Sequence, residues 1–287
     1  MSSLPNPTVA DPNLKRLRMS VRNRILFFVV AWAIVLMPFL FWHSTWFGRA
    51  LTDRELDQYL HETDKPRHVQ HALVQLGERM ARHDASAARW YPDAVRLASS
   101  PVDEIRNTDA WIMGQDTSRP DFHQALLTLL HDSSPMVRSN AALSLVRFGD
   151  ASGRPQLVEM LQPAKVAAPQ AGRISDVSKA GTAVRQGGTV AKLNTGSSEI
   201  ELRTPIAGRI RSLAVDRGAQ VQGGAPVAIV DPAGDQVWEA LRALYLVGEK
   251  DDLPAIEPYK AGSADLADRV RQQAILTEKA ILNRSAK

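Results

Sequence analysis

Cysteine is missing altogether from the 287 residues. That excludes disulfides, Cys-ligated zinc or iron–sulfur centres, thioether-linked haem and a cysteine nucleophile. It leaves oxidising surroundings permitted. Aromatic residues are scarce at 6%, and they do not interleave with basic residues as a single-stranded nucleic-acid surface requires. A Walker A sequence and a dinucleotide fingerprint are both lacking. The pairs Gly187-Gly188 and Gly223-Gly224 sit in strand turns, not ahead of a phosphate-binding helix. Seven histidines give one close pair, His68 and His71, with Asp64 nearby. A metal site needs a third ligand brought from elsewhere, and a solvated solenoid surface explains this cluster better. Asp132-Ser133-Ser134 is a turn and capping cluster. The expectation is no catalytic residue, no cofactor, no metal and no nucleic-acid partner.

What is present is unevenly distributed. Residues 1–24 hold five bases (Lys15, Arg16, Arg18, Arg22, Arg24) against Asp11, and the remainder balances at 30 bases and 30 acids. The sequence pI of 9.5 is therefore a local feature. The basic tail abuts ILFFVVAWAIVLMPFLFW, 18 uncharged residues from Ile25 to Trp42. As a helix this run spans roughly 27 Å, near the hydrocarbon thickness of a bilayer. Pro38 is tolerable in a membrane helix, and Trp42 and Trp46 stand where an aromatic belt belongs. The reading is a basic cytoplasmic tail (1–24) and an uncleaved anchor (25–47). Everything beyond is then extracytoplasmic, which in a bacterium means the inner membrane and periplasm.

Residues 51–162 read as paired helices. Thr52 caps the first, and Glu55 completes a capping box. The clearest unit, ALLTLLHDSSPMVRSNAALSLVRFGD, places Pro135, Val137, Arg138, Ala141, Ala142 and Leu145 before Gly149. Pro101, Ile105, Arg106, Ala110, Trp111 and Gly114 echo that order. Such units bury their apolar faces by stacking. They resemble HEAT-like repeats of the short bacterial kind. Arg106 and Arg138 start corresponding helices, and Trp90-Tyr91 precedes a helix. These four are the candidate partner-binding residues. Trp111 and Trp238 lie on apolar repeat faces, so core packing is expected for both.

Composition changes after Gln162. PAKVAAPQAG is linker-like, and then two copies follow, at 168–193 and 204–230. Pro169, Gly172, Arg173 and Ile174 match Pro205, Gly208, Arg209 and Ile210. Gly181, Val184, Gly187 and Val190 match Gly218, Val221, Gly224 and Val227 after one inserted residue. Glycines at matching places imply that both halves need the same positive-φ turns. The duplication, over 167–232, closely resembles the biotinyl/lipoyl-like barrel-sandwich fold, which periplasmic adaptors also use. The resemblance implies a carrier lysine on a hairpin eight residues before Pro205. Ser197 stands there, in Asn194-Thr195-Gly196-Ser197-Ser198-Glu199, so covalent carrier chemistry is not expected. The 194–203 segment is also too short for the long helical hairpin of efflux adaptors.

Helix returns after Pro232. Ala240, Leu244, Val247, Gly248 and Ile256 match Ala141, Leu145, Phe148, Gly149 and Leu157 at a constant offset of 99. A HEAT-like array is thus expected to resume over 236–284. The fold class read from the sequence is α+β: an N-terminal transmembrane helix, then a HEAT-like α-solenoid interrupted by a lipoyl-like β domain. The function read from it is a non-catalytic, membrane-anchored periplasmic scaffold or accessory subunit. Its partners would be an integral-membrane protein complex and, through 25–47, the lipid bilayer. The alternative is a divergent periplasmic adaptor of an efflux or secretion system.

Overall fold

The computed structural model describes residues 21–45, 49–261 and 266–286. It divides into two units, residues 1–50 and residues 51–287. The first contains one helix, α1 (Val21–Thr45). Its described large apolar side chains, from Val21 to Met37, are all exposed. Most of the expected basic tail, and Trp46, lie outside the described residues, as do the side chains of Pro38 and Trp42.

The anchor is the first correction. Among the described residues, no helix is long and apolar enough to cross a membrane. The expected bilayer contact through 25–47, the single-pass inner-membrane placement and the assignment of sides all rested on that anchor. They are withdrawn with it, as are the integral-membrane partner and the adaptor alternative.

The second unit holds helix pairs before and after a β unit. The helices before the insert are α2 (Asp53–His61), α3 (Pro66–Ala81), α4 (Tyr91–Leu97), α5 (Asp103–Met113), α6 (Pro120–Leu129), α7 (Pro135–Arg147) and α8 (Arg154–Glu159). After it come α9 (Gly234–Val247), α10 (Leu253–Lys260) and α11 (Asp268–Ser285). Proline opens α3, α4, α6, α7, α8 and α10 within the first two positions, where its missing N–H costs nothing. The capping box of α2 is present, with Thr52 Oγ1 accepting from Glu55 N–H at 3.3 Å.

The second helices of the pairs stack in one row, α3 on α5, α5 on α7, α7 on α9 and α9 on α11. Polar bridges repeat between rows. Ser144 Oγ on α7 donates to Ala110 O on α5 at 2.7 Å, and Thr277 Oγ1 on α11 donates to Leu241 O on α9 at 2.8 Å. One apolar cluster runs from Leu51 through Leu161 and on through Val237 to Ile281. Bonds tie the helices before the β unit to those after it. Gln236 Nε2 donates to Met160 O at 2.9 Å, Tyr259 Oη to Leu161 O at 2.5 Å, and Arg154 pairs with buried Asp252 at 3.3 Å.

The insert has eight strands: β1 (Ala164–Ala167), β2 (Gly172–Val177), β3 (Ala183–Val184), β4 (Thr189–Asn194), β5 (Glu199–Arg203), β6 (Gly208–Leu213), β7 (Gln220–Val221) and β8 (Pro226–Pro232). One sheet runs β1-β8-β6-β3 and the other β5-β4-β2-β7. Exchanging the two sequence copies maps one order onto the other, so the sheets are related by an internal two-fold. The core between them is a separate cluster of twelve buried residues, among them Ile174, Val190, Leu193, Ile210, Val227 and Val230. The matched glycines do adopt matched turns, with φ of 81° and 91° at Gly181 and Gly218, and 70° and 81° at Gly187 and Gly224. Their bonding is matched too. Gly181 N–H donates to Ile210 O and Gly218 N–H to Ile174 O, both at 2.7 Å. The supposed linker is a correction: residues 164–167 form β1, because β8 offers it an open edge from Val230 to Pro226.

Candidate functional site

In the carrier fold, the place where chemistry would happen is the hairpin between β4 and β5. The two strands pair through to Asn194 opposite Glu199, leaving Thr195, Gly196, Ser197 and Ser198 as the tip. Thr195 N–H donates to Ser198 O at 3.0 Å, and Gly196, at φ 88°, makes the reversal. Asn194 Oδ1 accepts from Gly196 N–H at 2.8 Å. Ser197 is exposed, and its hydroxyl lies 3.2 Å from Thr195 Oγ1. No base reaches it. Glu199 is held by Ser175 Oγ at 2.9 Å and by Lys192 at 3.3 Å. Those hydrogen bonds, Ser175 first and Lys192 next, keep its carboxyl below the usual range. Lys192, the nearest amine, is set in β4 opposite Glu201, inside the ladder and away from the tip.

The four candidate partner contacts fare differently. Trp90 is fully buried and Tyr91 nearly so, which corrects their reading as exposed anchors. A single 3₁₀ turn, Ala85–Trp90, folds the indole inward beneath the guanidiniums of Arg79 and Arg89, at 5.1 and 5.4 Å. Tyr91 Oη donates to Asp116 Oδ2 at 2.7 Å. Burial first, then that carboxylate, pushes its phenol up to about 12. Arg106 and Arg138 are engaged internally. Arg106 clasps Asp132 with Nε and Nη2 at 2.6 and 2.9 Å, and gives Nη1 to Ser100 O at 2.7 Å. Arg138 donates to Asp132 O at 3.0 Å and to Glu159 at 3.2 Å. Both brace neighbouring turns. Trp111 was expected inside and is 41% exposed on α5, while Trp238 sits partly buried under Arg242 and Arg269 at 4.6 and 5.0 Å.

The histidine pair does not assemble a metal site. His68 stacks on Tyr59 at 4.2 Å and bonds Glu62 at 2.5 Å, while His71 faces Gln75 at 2.7 Å. Among the described residues no group of three His, Cys, Asp or Glu could hold a metal ion. Glu62 is drawn down to about 2 by hydrogen bonds from Gln58, then His68 and Lys65.

A feature not extracted from the sequence recurs at the turns. Asp84, Asp116, Asp132 and Asp150 each accept from the N–H of a serine two residues on, at 2.9, 3.1, 2.8 and 2.7 Å. The Asp-x-Ser spacing was visible. It is the local signature of a side chain substituting for a backbone acceptor.

Comparison with known proteins agrees with this architecture. The family model for HEAT repeats matches residues 91–170, and the one described as biotin-requiring enzyme matches residues 164–230. Each spans less than half of the chain. The described fold is thus α+β, with HEAT-like helices and a lipoyl-like β-sandwich domain. No curated protein matches it. Among solved structures, the crystal structure of an engineered protein covers 82% of this chain and 86% of its own, at 16% identity and a TM-score of 0.39. A likeness at that level carries no argument.

Proposed function

We propose that this chain is a non-catalytic scaffold or accessory subunit of a protein complex. In this reading residues 51–162 and 236–284 form one helical array, and the β unit at 167–232 is an insertion presented by it. The carrying observation is the β4–β5 hairpin, an acceptor hairpin by position that offers Ser197 and no lysine. A carrier fold without its nucleophilic amine is left with shape, loop tips and hydrogen-bonding edges. Helical arrays likewise expose extended faces suited to partners. Fold alone does not choose the partner, so the role is tested by its consequence. Reconstitution of the partner complex with and without this chain separates assembly from turnover. The reading expects a lower assembled fraction without it, at unchanged turnover per assembled complex. Loss of turnover in complexes that still assemble contradicts it.

A further inference from the structure

Among the described residues five polar or charged ones are buried: Asp109, Ser144, Thr204, Asp252 and Thr277. Four have hydrogen-bond partners. Asp109, on α5, does not; it is fully buried, and neither carboxylate oxygen has a partner among the described residues. A buried acid without partners is costly in its charged form, and protonation removes most of that cost. The repeat explains why nothing reaches it. Ile105 and Arg106 correspond to Val137 and Arg138, which sets Asp109 against Ala141, a fully buried alanine.

The surrounding charges do not rescue it. Helices α3, α4, α6 and α7 pack around α5 or its partner helix. Arg96 of α4 is the one charge that favours the ionised form, and desolvation outweighs it. Its guanidinium is committed to Leu60 O at 3.1 Å and Asp93 at 2.9 Å. The other titratable and charged groups on α5 and the helices packed about it are Tyr91 and Asp93 of α4, and Asp103, Glu104 and Arg106 of α5 itself. To these are added Arg67, His68, His71, Glu78 and Arg79 of α3, Asp121 and His123 of α6, and Arg138 and Arg147 of α7.

We propose that Asp109 is a proton-operated latch of the helical array. With its carboxyl neutral the core closes over it; when the proton leaves, the packing around α5 loosens. The sign follows from linkage. An acid whose native form holds its proton more tightly than the unfolded chain stabilises below the unfolded value, near 3.9. That stabilisation is lost as pH rises through the native value. The test is thermal melting of the full chain from pH 4.5 to 8.5, with Asp109→Asn and Asp109→Ala alongside. Asn keeps the shape without the ionisation, and Ala copies Ala141, so one fold-competent variant suffices. The folded-to-unfolded ratio of the wild type should fall relative to the variant by up to tenfold per pH unit. Hydrogen exchange in α4 and α5, corrected for intrinsic rate, should quicken with pH in the wild type alone. A pH-independent gap overturns the latch, as does failure of both variants to fold.

Discussion

Arg106 and Asp132 make the most exacting side-chain contact in the array. Their fork is bidentate and mostly buried, with side-chain exposures of 13% and 7%. Breaking such a pair from one side strands the other charge, which costs about 3 kcal/mol or more. Arg106→Ala should therefore lower the denaturant midpoint sharply, and Arg106→Lys should recover only part, since ammonium cannot span both oxygens. The hydrogen bond from Arg106, then that from Ser134, holds the Asp132 carboxyl below its ordinary value. Asp150 is held down by Ser152 and then His123, and Asp84 by the Ser86 N–H; at Asp116 burial pushes upward but the Ser118 and Tyr91 bonds prevail. Depressed carboxyls stabilise above the unfolded value near 3.9, and that contribution disappears as pH falls through the native values. An acid limb should thus appear in the stability profile below about pH 4. Its attenuation in Asp132→Asn, measured by denaturant titration at several pH values, checks the assignment. At the alkaline end Tyr259 acts oppositely. Burial first, then Asp231, raises it to about 12, so its stabilisation holds to about pH 10 and is lost towards 12.

Elements were legible where backbone chemistry is local. Proline at first turns, the Thr52–Glu55 box and the duplicated glycines each announce a backbone need that no distant residue can override. Gly181 and Gly208 show two different needs. At Gly181 a Cβ would meet nothing within 4 Å, but φ is 81°; Gly181→Ala should cost about 1–2 kcal/mol of strain. At Gly208 a Cβ would lie 1.7 Å from the Asp231 carbonyl oxygen. Gly208→Ala should part β6 from β8 and abolish cooperative melting of the β unit, observable as lost hydrogen-exchange protection of the β6 and β8 amides. Side-chain destinations were less legible. Trp90 stood among the candidate partner-binding residues, and the 3₁₀ turn that folds it inward has no strong sequence mark. Trp111 was read as buried from helical spacing, yet it lies at the margin of that face over Gly77, where a Cβ would meet its ring at 3.1 Å. Asp109 was within reach of the sequence, since aligning Ile105-Arg106 with Val137-Arg138 already sets it against Ala141, but its full burial shows only in the fold. Ser197 was placed through the resemblance, by the eight-residue spacing to Pro205, and β4–β5 pairing leaves it in the turn between those strands.

At the scale of the second unit, helices lie before and after the β unit. Ala164 and Val230 are register partners at the mouth of the β unit, about 5 Å apart as neighbouring strands must be. A short Gly/Ser linker in place of residues 164–232 should therefore leave the helical remainder folded, with one cooperative transition by circular dichroism. A broad, non-cooperative melt would show that the β unit completes the helical core. The scaffold reading depends most directly on what the hairpin carries. Ser197 is an exposed hydroxyl with no base in reach, and a hydroxyl so placed is a poor nucleophile. The decisive measurement is intact-mass spectrometry of the full chain purified from cells that co-express biotin and lipoate ligases. The account predicts a mass without biotinyl or lipoyl increment; an increment mapped to residues 189–203 would contradict it and make the β unit a working carrier.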